Sequence, residues 1–145
     1  MKRILAAAVI SLFTAGAWAA DVGSVKVSKG AVSVERDGKL ERAVIGRGIR
    51  PQDKIVTGAD GSVGITFLDN SLLSAGPNSV LAIDKYTFDS TTHAGEFDAS
   101  LKSGTLAVVS GKLVKQNPES MRVRTPAAIM GVRGTEFLVQ VVERP

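Results

Sequence analysis

"SVGITFLDNSLLSAGPNSVLAIDKYTFD", residues 62–89, decides the fold. Val63, Ile65 and Phe67 alternate with Gly64 and Thr66, so three apolar side chains share one face of an extended chain. Asp69-Asn70 supplies turn chemistry, because short polar side chains bond their own backbone and tolerate left-handed dihedrals. Leu72 and Leu73 open a second strand, which Gly76-Pro77-Asn78 closes. Val80 to Phe88 reads as a third and longer strand, with Val80 and Ala82 in phase and Ile83 out of strict phase. A period of two interrupted by polar turns is the pattern of antiparallel hairpins.

The same pattern extends both ways. Upstream, Val22, Val25 and Val27 sit among small or polar residues, and Val32 and Val34 alternate before Asp37-Gly38, a hairpin signal. Leu40 and Val44 resume the chain until Gly46 and Gly48 break it, and a short strand follows at Ile55–Thr57 before a turn at Asp60-Gly61. Downstream, residues 90–95 read as a loop, and "EFDASLKSG" and "GTLAVVSGKLV" as two strands broken at Gly104 and Gly111. "KQNPES" is a polar turn. "MRVRTP" puts Met121 and Val123 on one face and Arg122 and Arg124 on the other. Phe137, Val139 and Val141 share a face in the last strand. No window of helical length carries an apolar stripe at three- and four-residue spacing. The expectation is an all-β domain, an irregular β-roll or β-sandwich of stacked short antiparallel strands and hairpins.

"VRTPAAIMGVRGTEF", residues 123–137, is the most demanding segment. Thr125-Pro126 imposes an extended entry, since the residue before proline avoids helical dihedrals. Ala127 to Met130 are suited to close packing, and Gly131 and Gly134 permit left-handed or crowded backbone. Between them, Arg133 can fork onto strand-end carbonyls or a carboxylate and lock the fold, or contact an anion or peptide carboxylate. Arg133→Ala is expected to lower the melting temperature by several degrees if it is a lock. Thr135 restarts the final strand. Arg122 and Arg124 form either a solvated face or an interaction patch.

The amino terminus stands apart. Lys2 and Arg3 precede an apolar run from Ile4 to Phe13, and Ala17-Trp18-Ala19 has the small-x-small form of a cleavage site. Residues 1–19 therefore read as a secretory signal peptide and residues 20–145 as the mature domain, with no transmembrane segment left after cleavage. The chain of 145 residues carries 18 basic and 14 acidic side chains. Losing Lys2 and Arg3 leaves sixteen basic, a net charge of +2. That excess is small and scattered, so nucleic acid is not expected as a partner. With Cys 0, no disulfide or thiolate chemistry is available.

Catalytic groups are sparse. His93 is the single histidine, no serine sits in Gly-x-Ser-x-Gly, and no calcium-loop spacing occurs. Asp53, Asp60, Asp69 and Asp84 occupy turns or strand ends, where they bond turn backbone; paired acids of glycosidase type are the remote alternative. "GTLAVVSGK" lacks the spacing and the hydroxyl of a phosphate loop. No enzyme activity, cofactor or metal is expected.

The closing motif, with Thr125, Pro126, Gly131, Arg133, Gly134 and Thr135, resembles the signature of the FecR domain. Upstream, "GAVSVERDG", the run from Leu40 to Ile83 and "LKSGTLAVVSG" are similar to the rest of that family's pattern, although Asn70 stands where a glycine is common. The resemblance implies a bacterial periplasmic β domain. The family's known members are transmembrane regulators of iron uptake that bind a sigma factor inside the cell and meet an outer-membrane transporter outside it. This chain looks instead like a stand-alone secreted or periplasmic FecR domain: a non-catalytic interaction or signalling module whose partner is an envelope protein. The alternative is a module that binds peptidoglycan or another glycan. With Trp18 lost in the leader, Tyr86 would be the main aromatic contact, and Tyr86, Arg122, Arg124 and Arg133 are the candidate interaction residues.

Overall fold

Period-two patterning becomes strand along most of the chain in a computed structural model that describes residues 20–131 and 136–141. The strands of the first half are Gly23–Lys29 (β1), Val32–Arg36 (β2), Lys39–Arg42 (β3), Gly48–Ile49 (β4), Lys54–Thr57 (β5), Ser62–Phe67 (β6) and Leu72–Ala75 (β7). Val80–Phe88 (β8) and Gly95–Val109 (β9) follow, then a short helix, Lys112–Gln116 (α1). Met121–Arg124 (β10), Ile129–Gly131 (β11) and Glu136–Val141 (β12) complete the order. The turns are those the sequence names. Asp37 and Gly38 both take positive φ, 52° and 75°, which matches the twist of the β2–β3 hairpin. Asn70 takes φ 67° at the β6–β7 turn, where asparagine replaces glycine at modest steric cost.

One strand organises the sheet. Up to Ser103, β9 pairs antiparallel with β8 and, on its other edge, parallel with β10. From Gly104 onward it pairs antiparallel with β7 and β12. The order β3-β2-β5-β8-β9-β7-β6-β1-β4 thus divides at β9 into two halves of one curled sheet. The halves close on a shared core. Phe67 of β6 lies 5.4 Å from Tyr86 of β8 and 4.6 Å from Phe97 of β9, centroid to centroid. Ile65, Leu73 and Leu106 from one half and Ile55, Leu81 and Leu101 from the other are buried within it. Each such side chain contributes roughly 1.5–3 kcal/mol. Apolar burial and backbone pairing hold the fold, for there is no cysteine.

The all-β class with mostly antiparallel short strands agrees with expectation, and four details differ. "EFDASLKSG" and "GTLAVVSG" belong to one 15-residue strand, because Gly104 bends β9 without ending it. In β8 the inward residues are Leu81, Ile83 and Tyr86 rather than Val80 and Ala82; an irregularity between Ile83 and Lys85 shifts the phase by one residue. "KLVKQ" is helix, not strand. It buries Leu113 and Val114, and five residues are too few to show a stripe. Leu40 and Val44 point to solvent, 64% and 57% exposed, since β3 lies at an edge beyond the core and Val44 falls in the loop that follows it.

Candidate functional site

The described part of the closing motif, Thr125 to Gly131, belongs to a hairpin on the outer edge of the first half of the sheet. Thr125 N–H donates to the Ala128 carbonyl at 2.8 Å, and Ala128 N–H donates back to Thr125 Oγ1 at 3.1 Å. Pro126 and Ala127 are the exposed tip of this turn, which feeds β10 into β11. Alternation along β10 is as the sequence implies: Met121 and Val123 are buried, Arg122 and Arg124 exposed. Gly131 lies opposite Arg122 and Ile129 opposite Arg124, so the four share the outer face. Pro118, Glu119, Arg122, Ile129 and Gly131 line an open cleft of about 320 Å³. Arg133, Gly134 and Thr135 lie outside the described residues.

Three expectations for the candidate residues need correction. Ala127, Ala128 and Ile129 are exposed rather than closely packed, and Met130 alone of the four packs against the core, because only one face of β11 points inward. Gly131 takes no left-handed conformation, and a Cβ there would meet nothing within 4 Å. Tyr86 is no surface aromatic. It is 5% exposed, with its ring packed against both Phe67 and Phe97, and so offers no platform to a sugar.

Tyr86 instead belongs to a buried network that sequence spacing did not reveal. Its hydroxyl donates to Asp69 Oδ1 at 2.9 Å and accepts from Asp69 N–H at 3.0 Å. Ser71 Oγ–H donates to Asp69 Oδ2 at 2.6 Å, and Leu113 N–H donates to the same oxygen at 3.3 Å. Asp69, fully buried, thereby ties the β6–β7 turn to β8 and to the start of α1. The signal available was the Asp-x-Ser turn, since Ser71 N–H does bond Asp69 Oδ1. The long-range partners carried no local signal.

Burial, and then the charge of Asp69, disfavours the Tyr86 phenolate and raises that hydroxyl's pKa well above its ordinary value. Its sign follows from linkage. With the folded value above the unfolded one of about 10, the stabilisation is complete below pH about 10 and drains away as pH rises past it. Tyr86→Phe should flatten that alkaline limb and remove about 1–2 kcal/mol at neutral pH. Melting temperatures of both proteins measured from neutral to strongly alkaline pH test this; parallel curves would refute it.

A second lock joins β2 to the loop before β5. Arg36 Nε and Nη2 donate to Asp53 Oδ1 and Oδ2 at 2.8 and 2.7 Å, and Nη2 also reaches the Gly48 carbonyl at 3.1 Å. Arg50 N–H donates to Asp53 Oδ2 at 2.9 Å. The Asp53 hydrogen bonds hold the guanidinium pKa above its ordinary value. Asp84 accepts from Ser100 Oγ–H and Asp60 from Ala31 N–H, so none of these four aspartates is a free carboxylate facing another. His93 stacks on Phe88 at 5.9 Å. Among the described residues, no three His, Cys, Asp or Glu side chains group as a metal site would require. Nor is any helix there long and apolar enough to cross a membrane.

Comparison with known families matches residues 53–144 to the family described as FecR protein. The match covers β5 to β12 and begins at the buried Asp53, leaving β1 to β4 upstream of it. No curated protein and no solved structure matches the chain.

Proposed function

We propose, from the premise that this chain belongs to the FecR protein family, that it is a non-catalytic interaction module working in the bacterial periplasm or outside the cell. The family acts in signalling and regulation at the cell envelope. On this reading residues 1–19 are an export leader and residues 20–145 form the working domain. Its partner is an envelope protein, and its contact face is the outer side of the β10–β11 hairpin.

One observation carries this reading: Arg122 and Arg124 stand exposed on one strand face, and among the described residues neither forms an ion pair. Some other charges on that half are paired. Arg36 holds Asp53, and Lys85 pairs with Glu96. Two free guanidiniums beside Ile129, which is 64% exposed, combine fork-shaped donors with an apolar contact, the composition of an interface core rather than of a solvated rim.

Crosslinking in living cells followed by mass spectrometry tests the proposal. A reproducible envelope protein should be captured, and Arg122→Ala with Arg124→Ala should reduce that capture at least about tenfold. The melting temperature should stay the same, because both side chains are exposed. Recovery of cell-wall fragments alone would favour the glycan-binding reading instead. Capture unchanged in the double variant would move the contact face elsewhere.

A further inference from the structure

The edges of the sheet are protected unequally. β3, at one end, carries Lys39, Glu41 and Arg42, all exposed. β4, at the other end, has two residues, and β11 has three. Charge and brevity are the usual defences of a strand edge. β12 has neither. It runs six residues, Glu136 is its one charge, and its register with β9 contains no bulge. Leu138, on its outer face, is 72% exposed. Among the described residues, β12 pairs with β9 alone.

Backbone alternation says which groups this edge presents. Thr105 turns both of its groups to the β7 side of β9: its carbonyl accepts from Gly76 N–H at 3.1 Å, and its N–H donates to Ser79 Oγ at 3.0 Å. Antiparallel strands alternate direction residue by residue, so Leu106 and Val108 face β12. Opposite them stand Val139 and Phe137. The backbone groups of Glu136, Leu138 and Gln140 therefore point away from β9, to the open edge.

We infer that this edge is the site of self-association, in which β12 pairs antiparallel with β12 of a second copy about a two-fold axis at Leu138. This goes beyond the envelope-partner reading and does not rest on it. In that register Leu138 meets Leu138 of the second copy, and Glu136 meets Gln140 of the second copy. All three open residues are used, and no like charges are opposed. A shift of four residues toward the amino end would set Glu136 against Glu136, which like-charge repulsion disfavours. The pairing also extends the core, placing half-buried Phe137 beside Val139 of the second copy. Such an interface is isologous and closes at two copies.

Sedimentation equilibrium of the purified protein over a concentration series should show a doubling of mass. Leu138→Lys and Leu138→Glu should each weaken the dimer at least about tenfold by opposing like charges at the axis. An equimolar mixture of the two variants should restore the doubled mass. Both variants keep the fold, as an unchanged far-ultraviolet circular dichroism spectrum will verify, because this side chain is exposed. A wild type that remains monomeric overturns the inference. So does a dimer that survives Leu138→Lys, or a mixture that fails to recover. A monomer whose β12 amides gain exchange protection only from an added envelope protein would also overturn it.

Discussion

Gly104→Val is expected to lower stability by about 3–5 kcal/mol, a large part of what a domain of this size possesses. Gly104 has φ +88° at the point where β9 leaves the first half of the sheet for the second. A Cβ there would stand 2.5 Å from Ser79 Cα and 2.6 Å from Ser79 Cβ, and closer still to Ser79 Oγ. Retreat is barred, because Ser79 is fully buried and bonded on both sides. Its N–H donates to Thr57 Oγ1 at 2.8 Å, and its Oγ accepts from Thr105 N–H at 3.0 Å. Dihedral strain and steric overlap therefore add. Gly131→Ala is the matched control: no left-handed dihedral and open space predict a change within about 0.5 kcal/mol. Urea unfolding of both variants tests the pair. A Gly104→Val protein as stable as wild type would mean that β9 does not bend there under constraint.

That bend also shows where sequence reading stops. Turns announced themselves, because Asp37-Gly38 and Asp69-Asn70 need local chemistry only. Faces were legible wherever alternation was unbroken, as in Val63, Ile65 and Phe67 or in Met121 to Arg124. A glycine, however, reads as a break unless its surroundings are known, and so Gly104 divided one strand into two. Bulges defeat phase in the same way, since Asp84 is the residue that turns Ile83 and Tyr86 to the same side. At the candidate site, the exposure of Arg122 and Arg124 followed from period two. The burial of Tyr86 did not, because it depends on Asp69, seventeen residues away in sequence.

Asp69→Ala is expected to cost about 3–4 kcal/mol, because it removes the acceptor of the Tyr86 and Ser71 hydroxyl protons and of the Ser71 and Leu113 N–H groups in a buried place. Simple addition of four charge-assisted bonds would give more, but the carboxylate's own desolvation is relieved at the same time. Tyr86→Phe in that background should then cost less than in the wild type, since the hydroxyl has already lost its acceptor and keeps only the bond from the residue 69 backbone N–H. The double variant should be more stable than the sum of the single losses by about 1–2 kcal/mol. Denaturant unfolding of the four proteins measures this coupling, and strict additivity would show that the two groups do not share one hydrogen bond. The consequence reaches the proposed contact face. Asp69 anchors the start of α1 through Leu113, and from α1 the chain runs through Pro118–Ser120 directly into β10. Loosening that anchor should therefore weaken partner capture at temperatures where the domain is still folded. Hydrogen exchange should show α1 and β10 opening ahead of β6, because β6 keeps its pairing with β1 and β7 while α1 loses the bond from Leu113.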